Sequence, residues 1–335
     1  MRIQDITVPF MCLVMLAGCA NTAGDASRES SAVVFAMDTE MQLKAYGENA
    51  DEAVKAAKAE INRLDKLFRR GDSDSEIYKI NNNGSYNVSD DTAELTRRAC
   101  NLGDMTDGVF DITIAPVIDL WGFYTKDFRV PDKDEVKSAL GRVNYGNVSV
   151  DGGTVTVSNG SELDLGGIAK GYLSSRIMRI YTEHGITSGI VSLSGNVEAL
   201  GAKPDGSAWN IAITDPHDAA SYIGSVRIKD KAVITSGGYQ RFFERDGKRY
   251  HHIIDPSTGY PSDSGLSSVT IISEDGTLAD GLSTSLYIMG LDKSEKFWYD
   301  NGGFDAVFIT DEGKIYITEG LDGIFESQKR YEVIK

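Results

Sequence analysis

Residues 162–172 read ELDLGGIAKGY. A strand ends at Asp164, and the pair Gly166-Gly167 leads straight into GIAKGYLSSRIMRIYTEHG, a helical pattern that closes on Gly185 as its C-cap. Glycines at such a junction let backbone approach a ligand, and the helix start offers unpaired N–H groups to a phosphate. Lys170, one turn in, adds a point charge. The same residues also suit a tight turn with an exposed lysine, and the pattern alone leaves both open.

The surrounding chain alternates between the two periodicities. Upstream, NVSVDGGTVTVSNGSELDL is a run of short strands broken by Asp-Gly and Asn-Gly turns. Earlier still, AVVFAMDTEMQLKAYG reads as a strand or hairpin arm, and Val54, Ala57, Ile61, Leu64 and Phe68 recur at three and four, predicting an amphipathic helix. Ser89 or Asp90 caps a second helix, and Pro131 marks the start of another. Downstream, SGIVSLSG, AWNIAIT, IGSVRIK, KAVITSG and LSSVTIIS are strands. QRFFERDGKRYHHII is a hairpin turning at Asp246-Gly247, TLADGLSTSLYIMG a helix, and DAVFITDEGKIYIT a closing hairpin. The class is α+β, one mixed domain spanning 32–335 without repeat or internal linker.

Acids outnumber bases 50 to 34 in the 335 residues, a net charge of −16, which argues against nucleic acid as a partner. A small anion can bind only where a metal or backbone N–H groups reverse the local charge. The N-terminus carries an apolar run from about Val8 to Ala17, too short to span a bilayer, and LAGC at Leu16–Cys19 resembles a bacterial lipobox. The expectation is a signal peptide over 1–18, a lipid on Cys19, and a small polar tether over 19–31, giving an extracytoplasmic, membrane-anchored bacterial lipoprotein. Cys12 leaves with the signal and Cys100 stands alone, so no intramolecular disulfide forms.

Dinucleotide, P-loop, nucleophile-elbow and zinc motifs are absent. Three further stretches stand out. In LADGLSTSLYIMG, Asp280, Ser283 and Thr284 fall at i, i+3 and i+4, a hard oxygen face suited to magnesium or simply a solvated one. Trp121-Gly122-Phe123 suits either a pocket wall for a planar ring or core. In HHIIDPSTGYP, His251 and His252 sit on a strand and point to opposite faces, so they do not share an ion; one is expected to face ligand and the other solvent.

Taken together, MDT at 37–39, TDGVFDITIAPVIDLWGF, LDLGGIAKGY, LSGN, AVITSGGYQRFFERDGKRYHHIIDPSTGYP and LADGLSTSLYIMG resemble the ApbE family of FAD:protein FMN transferases. The resemblance implies a monomeric fold related to the T-fold that takes FAD as substrate with Mg2+ at its pyrophosphate. It also implies transfer of FMN to a Thr or Ser hydroxyl of an exported partner protein, with release of AMP. By position it implies magnesium on Asp280, Ser283, Thr284 and the Gly167 carbonyl, and FAD contacts from Met37, Trp121, Gly122, Phe123, Asp164, Lys170 and Ile254. His252 falls at the family's histidine before the turn. An imidazole with an ordinary pKa near 6.5 suits the base that takes the hydroxyl proton, with His251 the alternative. Three departures stand near the ligand: Asp38 for Gly in M-G-T, Ser194 for Gly in L-G-G-N, and Gly281 for Ala in A-D-A-L-S-T, the last expected to loosen its helix by about 1 kcal/mol. Two other functions fit the same residues: an FAD pyrophosphatase giving FMN and AMP, and a non-catalytic flavin-binding lipoprotein.

Overall fold

Helix α1, Ala50–Phe68, buries Ala53, Val54, Ala57, Ile61, Leu64 and Phe68 along the stripe its spacing predicts. The computed structural model describes residues 28–335; the expected signal peptide, Cys19 and most of the tether lie outside the described residues. The first strand starts at Glu29, so the last three tether positions pair with Lys44, Ala45 and Tyr46. Backbone pairing, not composition, sets that boundary. Helices α2 (Glu76–Asn83), α3 (Asp90–Met105), α4 (Ala115–Trp121), α5 (Lys133–Leu140), α6 (Ala169–Glu183), α7 (Gly276–Met289) and α8 (Leu291–Asn301) follow. Ser89 caps α3 by accepting from the Thr92 N–H. Helix α5 starts two residues after Pro131, because Asp132 and Glu135 form a capping box there.

Nine strands form the central sheet in the order 29–36, 39–46, 188–193, 196–201, 231–237, 266–273, 305–310, 315–318 and 331–334. Neighbours run antiparallel except the last pair. Both faces are covered, so LSSVTIIS is buried at every position but Ser267 and DAVFIT at its four central positions. Ile271 and Phe308 face α1, α6 and α7, whereas Ile272 and Val307 face a second sheet of strands 209–215, 218–228 and 325–326. A satellite cluster joins α4 and α5 to the hairpin 242–251. That hairpin turns at Asp246-Gly247 as predicted.

Two tight turns at the sheet end explain two of the departures. Met37-Asp38 and Ser194-Gly195 each link paired strands as two-residue turns, and Asp38 and Ser194 take φ of 58° and 52°. The resembling family carries glycine at both positions, where the left-handed region costs it nothing. Met37 is held in the same region, at φ 48°, with its N–H donated to Asp65 Oδ1 at 3.0 Å. Asp38→Gly and Ser194→Gly are each expected to raise stability by about 0.5–1 kcal/mol. Denaturant midpoints measured at unchanged slope check this; a lower midpoint in either variant would contradict the strain assignment.

Candidate functional site

Helices α6 and α7 cross at Gly171. A methyl group there would run into the Gly276 carbonyl and the Asp280 Cβ, so glycine alone permits this approach. Contact brings the Gly171 N–H, one of the unpaired donors of the first turn of α6, onto Asp280 Oδ2 at 2.8 Å. Asp280 is only 3% exposed, and none of the ion pairs among the described residues includes it. A buried carboxylate lacking a counter-charge costs several kcal/mol. The position therefore favours a cation.

Hydroxyls complete the face. Ser283 donates to the Asp280 carbonyl at 2.8 Å and meets Ser236 Oγ at 2.7 Å, and Ser236 lies 3.2 Å from Thr284 Oγ1. Ser283 is fully buried, whereas Thr284 is half-buried. A Cβ built on Gly167 would lie 3.9 Å from Thr284 Oγ1, which places the glycine junction beside this face. Among the described residues no group of three or more His, Cys, Asp or Glu side chains is placed to hold a metal ion. The carboxylate and hydroxyls, with the Gly167 carbonyl that the resemblance implies, are a hard set that would fit magnesium, which keeps waters of its own.

The strand ends at His251, so His252 lies in the bend that follows it and not on the strand expected, and both side chains are half-buried. His251 uses both nitrogens: Nε2–H donates to the Ser262 carbonyl at 3.0 Å, and Nδ1 accepts from the Ile253 N–H at 3.3 Å. The Tyr287 hydroxyl also lies 3.3 Å from its Nε2. His252 Nδ1 lies 3.1 Å from the Arg241 carbonyl, which only accepts, so the hydrogen sits on Nδ1 and Nε2 keeps its lone pair. Burial, then the Arg241 and His251 charges, push its pKa down to about 3, with Lys170 adding to the effect. The ordinary value near 6.5 expected from the sequence does not hold here.

Trp121, Phe123 and Ile254 are not an open wall. Trp121 is wholly buried, donates Nε1–H to the Gly259 carbonyl at 2.8 Å and packs 5.4 Å from Tyr250 and 5.6 Å from Tyr260. Phe123 and Ile254 share that satellite core, because it gains more from their apolar area than solvent exposure would. Gly122 ends α4 at φ 75°. Asp164 stays at the junction, accepting the Gly166 N–H at 2.8 Å with Arg70 Nε 3.3 Å away. Arg70 also forks onto Asp119 at 2.7 and 2.8 Å, tying the two segments together. Ser236, Gly171, Arg70 and Arg241 are not predicted from the sequence; Gly171 lies in ELDLGGIAKGY and Ser236 and Arg241 in AVITSGGYQRFF, whereas Arg70 lies outside every motif.

The model of the ApbE family matches residues 37–308. An FAD:protein FMN transferase of Treponema pallidum is 33% identical, with 92% of each chain covered. Another FAD:protein FMN transferase, from Klebsiella pneumoniae, is 33% identical over 84% of this chain and 89% of its own. Among solved structures, the ApbE protein of Thermotoga maritima superposes with a TM-score of 0.84 at 35% identity, covering 89% of this chain and 99% of that one. The flavinyl transferase ApbE of Pseudomonas stutzeri gives 0.81 at 30% identity, covering 90% and 98%. This chain belongs to the ApbE family.

The third departure has a packing cause. A methyl on Gly281 would overlap Leu102 Cδ2, so the α3 leucine fills the space that alanine would take. Gly281→Ala therefore gains about 1 kcal/mol of helix propensity but is expected to lose about 1–3 kcal/mol to overpacking. Combined with Leu102→Ala it should be destabilised by less than the sum of the two single variants. Strict additivity in that cycle would refute the steric assignment.

Proposed function

We propose that this chain transfers the FMN part of FAD to a Thr or Ser hydroxyl of an exported acceptor protein and releases AMP. The observation that carries this is the buried, unpaired Asp280 carboxylate beside Thr284, at the start of α6 in a chain of the ApbE family. Asp280, Ser283, Thr284 and the Gly167 carbonyl would hold magnesium, whose charge offsets the pyrophosphate and polarises the phosphorus under attack. Asp164, Lys170 and Met37 would receive FAD, as the family resemblance implies. The Lys170 and Arg241 cations supply the positive potential that a chain of net charge −16 otherwise lacks.

His252 is the base in this scheme. Its Nε2 lone pair takes the proton as the acceptor oxygen attacks the flavin-side phosphorus. The bond from that phosphorus to the bridging oxygen breaks, and AMP leaves with the electron pair. His251, with both nitrogens engaged, holds the corner in shape. The anchor on Cys19 would set the domain at a membrane facing exported acceptors.

Asp280→Asn keeps the size of the side chain and an oxygen for the Gly171 N–H. It is expected to fold normally and lose magnesium-dependent transfer. His252→Asn should lower transfer by about 10² or more while FAD still binds, whereas His251→Asn should disturb stability more than chemistry. Because the folded imidazole sits at about 3, it stays neutral through the working range. The wild-type kcat/KM profile should therefore show no acid limb near pH 6.5. Such a limb, lost in His252→Asn, would show that burial does not hold the imidazole down; unchanged transfer in Asp280→Asn would remove the metal assignment.

A further inference from the structure

Glu198, in the strand 196–201, is 5% exposed and lies between the two helices that carry the site. Oε2 accepts from Ser174 Oγ at 2.5 Å and Ser175 Oγ at 3.2 Å, both on α6. A methyl on Gly276, the first residue of α7, would collide with that same oxygen. The carboxyl thus touches the second turn of α6 and the start of α7 at once, one helical turn from Gly171 and Asp280. Its partners in register, Val191 and Ala232, are apolar. The charge acting on it from α7 is Asp275, which is itself ion-paired to Arg98 of α3. None of the ion pairs among the described residues includes Glu198.

We infer that Glu198 is a positioning residue: anchored by Ser174 and Ser175 and wedged against Gly276, it sets the α6–α7 spacing that holds the Gly171 N–H on Asp280. The inference rests on the magnesium role proposed for Asp280. Backbone contact at Gly171 alone does not fix the spacing, because two glycine surfaces can slide. A side chain bonded to one helix and packed on the other stops that movement.

Burial, opposed by Ser174 and Ser175 and reinforced by Asp275, raises the Glu198 carboxyl from 4.5 to about 7. Between those values the folded chain binds more protons than the unfolded one. The stability contributed by the neutral acid is complete below about 4.5 and is lost as pH rises through about 7. Glutamine, a neutral isostere, escapes that loss.

The experiment compares wild type, Glu198→Gln and Glu198→Ala by thermal unfolding with FAD across a MgCl2 titration, and by unfolding against pH without either ligand. Glu198→Gln should need a magnesium concentration within about twofold of wild type for half the rise in Tm, whereas Glu198→Ala should need about tenfold more, as for groups that orient metal ligands. Without ligands, Glu198→Gln should exceed wild type in Tm above pH about 7 and lose that advantage toward 4.5. Should Glu198→Ala fail to fold, Ser174→Ala/Ser175→Ala removes the same anchor and should show the same tenfold loss. A wild-type magnesium response in Glu198→Ala, or equal damage in Glu198→Gln, would overturn the positioning role alone. No magnesium response in the wild type would overturn the metal reading with it.

Discussion

The hydrogen bond from the Gly171 N–H to Asp280 fixes the site, since it exists only where α6 and α7 touch backbone to backbone. Everything near it is arranged to keep that contact. Glu198 reaches from the sheet to Ser174 of α6 and Gly276 of α7, Ser236 reaches from the sheet to the hydroxyls of α7, and the glycine junction at 166–167 lies beside Thr284. The nine-stranded sheet supplies the floor on which both helices lie. Helices built on such a floor hold side chains more closely than loops do.

The electrostatics invert the character of the chain. A protein with a net charge of −16 must accept a substrate with a charged pyrophosphate. Asp280 alone would repel it, which is why the lack of a basic partner for that carboxylate among the described residues matters: in the proposed scheme magnesium would supply the counter-charge. Around the corner at His252, burial above all, and then Arg241 with a smaller effect from Lys170, holds the imidazole neutral while its Nδ1–H is fixed on a carbonyl. An imidazole of such low pKa is a weak base in the free protein. In the proposed scheme, a pyrophosphate bound beside those cations would offset the part of the depression that is due to charge, coupling substrate and base electrostatically.

Much of this was legible in the residues. The stripe of α1, the Asp246-Gly247 hairpin and the face of α7 follow from period and turn chemistry, which are local. Helices α2 and α4, of eight and seven residues, are too short to show a period. The burial of Trp121 was not legible either, because an aromatic residue packs equally well on a ligand or on Tyr250 and Tyr260, and only the fold supplies those rings. Gly171 and Asp280 are 109 positions apart, and no local pattern reports their contact. Asp38, Ser194 and Gly281 could be seen as departures from a resemblance. Their causes, two left-handed turns and one leucine methyl, exist only in three dimensions.

Covalent transfer to a protein separates the proposed chemistry from hydrolysis and from flavin storage. The most direct measurement is the intact mass of an exported acceptor subunit incubated with this enzyme, FAD and MgCl2, with AMP quantified in the same reaction. The account predicts that the acceptor gains one FMN through a phosphoester bond for each AMP released, and gains none when Asp280→Asn replaces the wild type. AMP released in full with the acceptor mass unchanged, or no AMP at all, would contradict it.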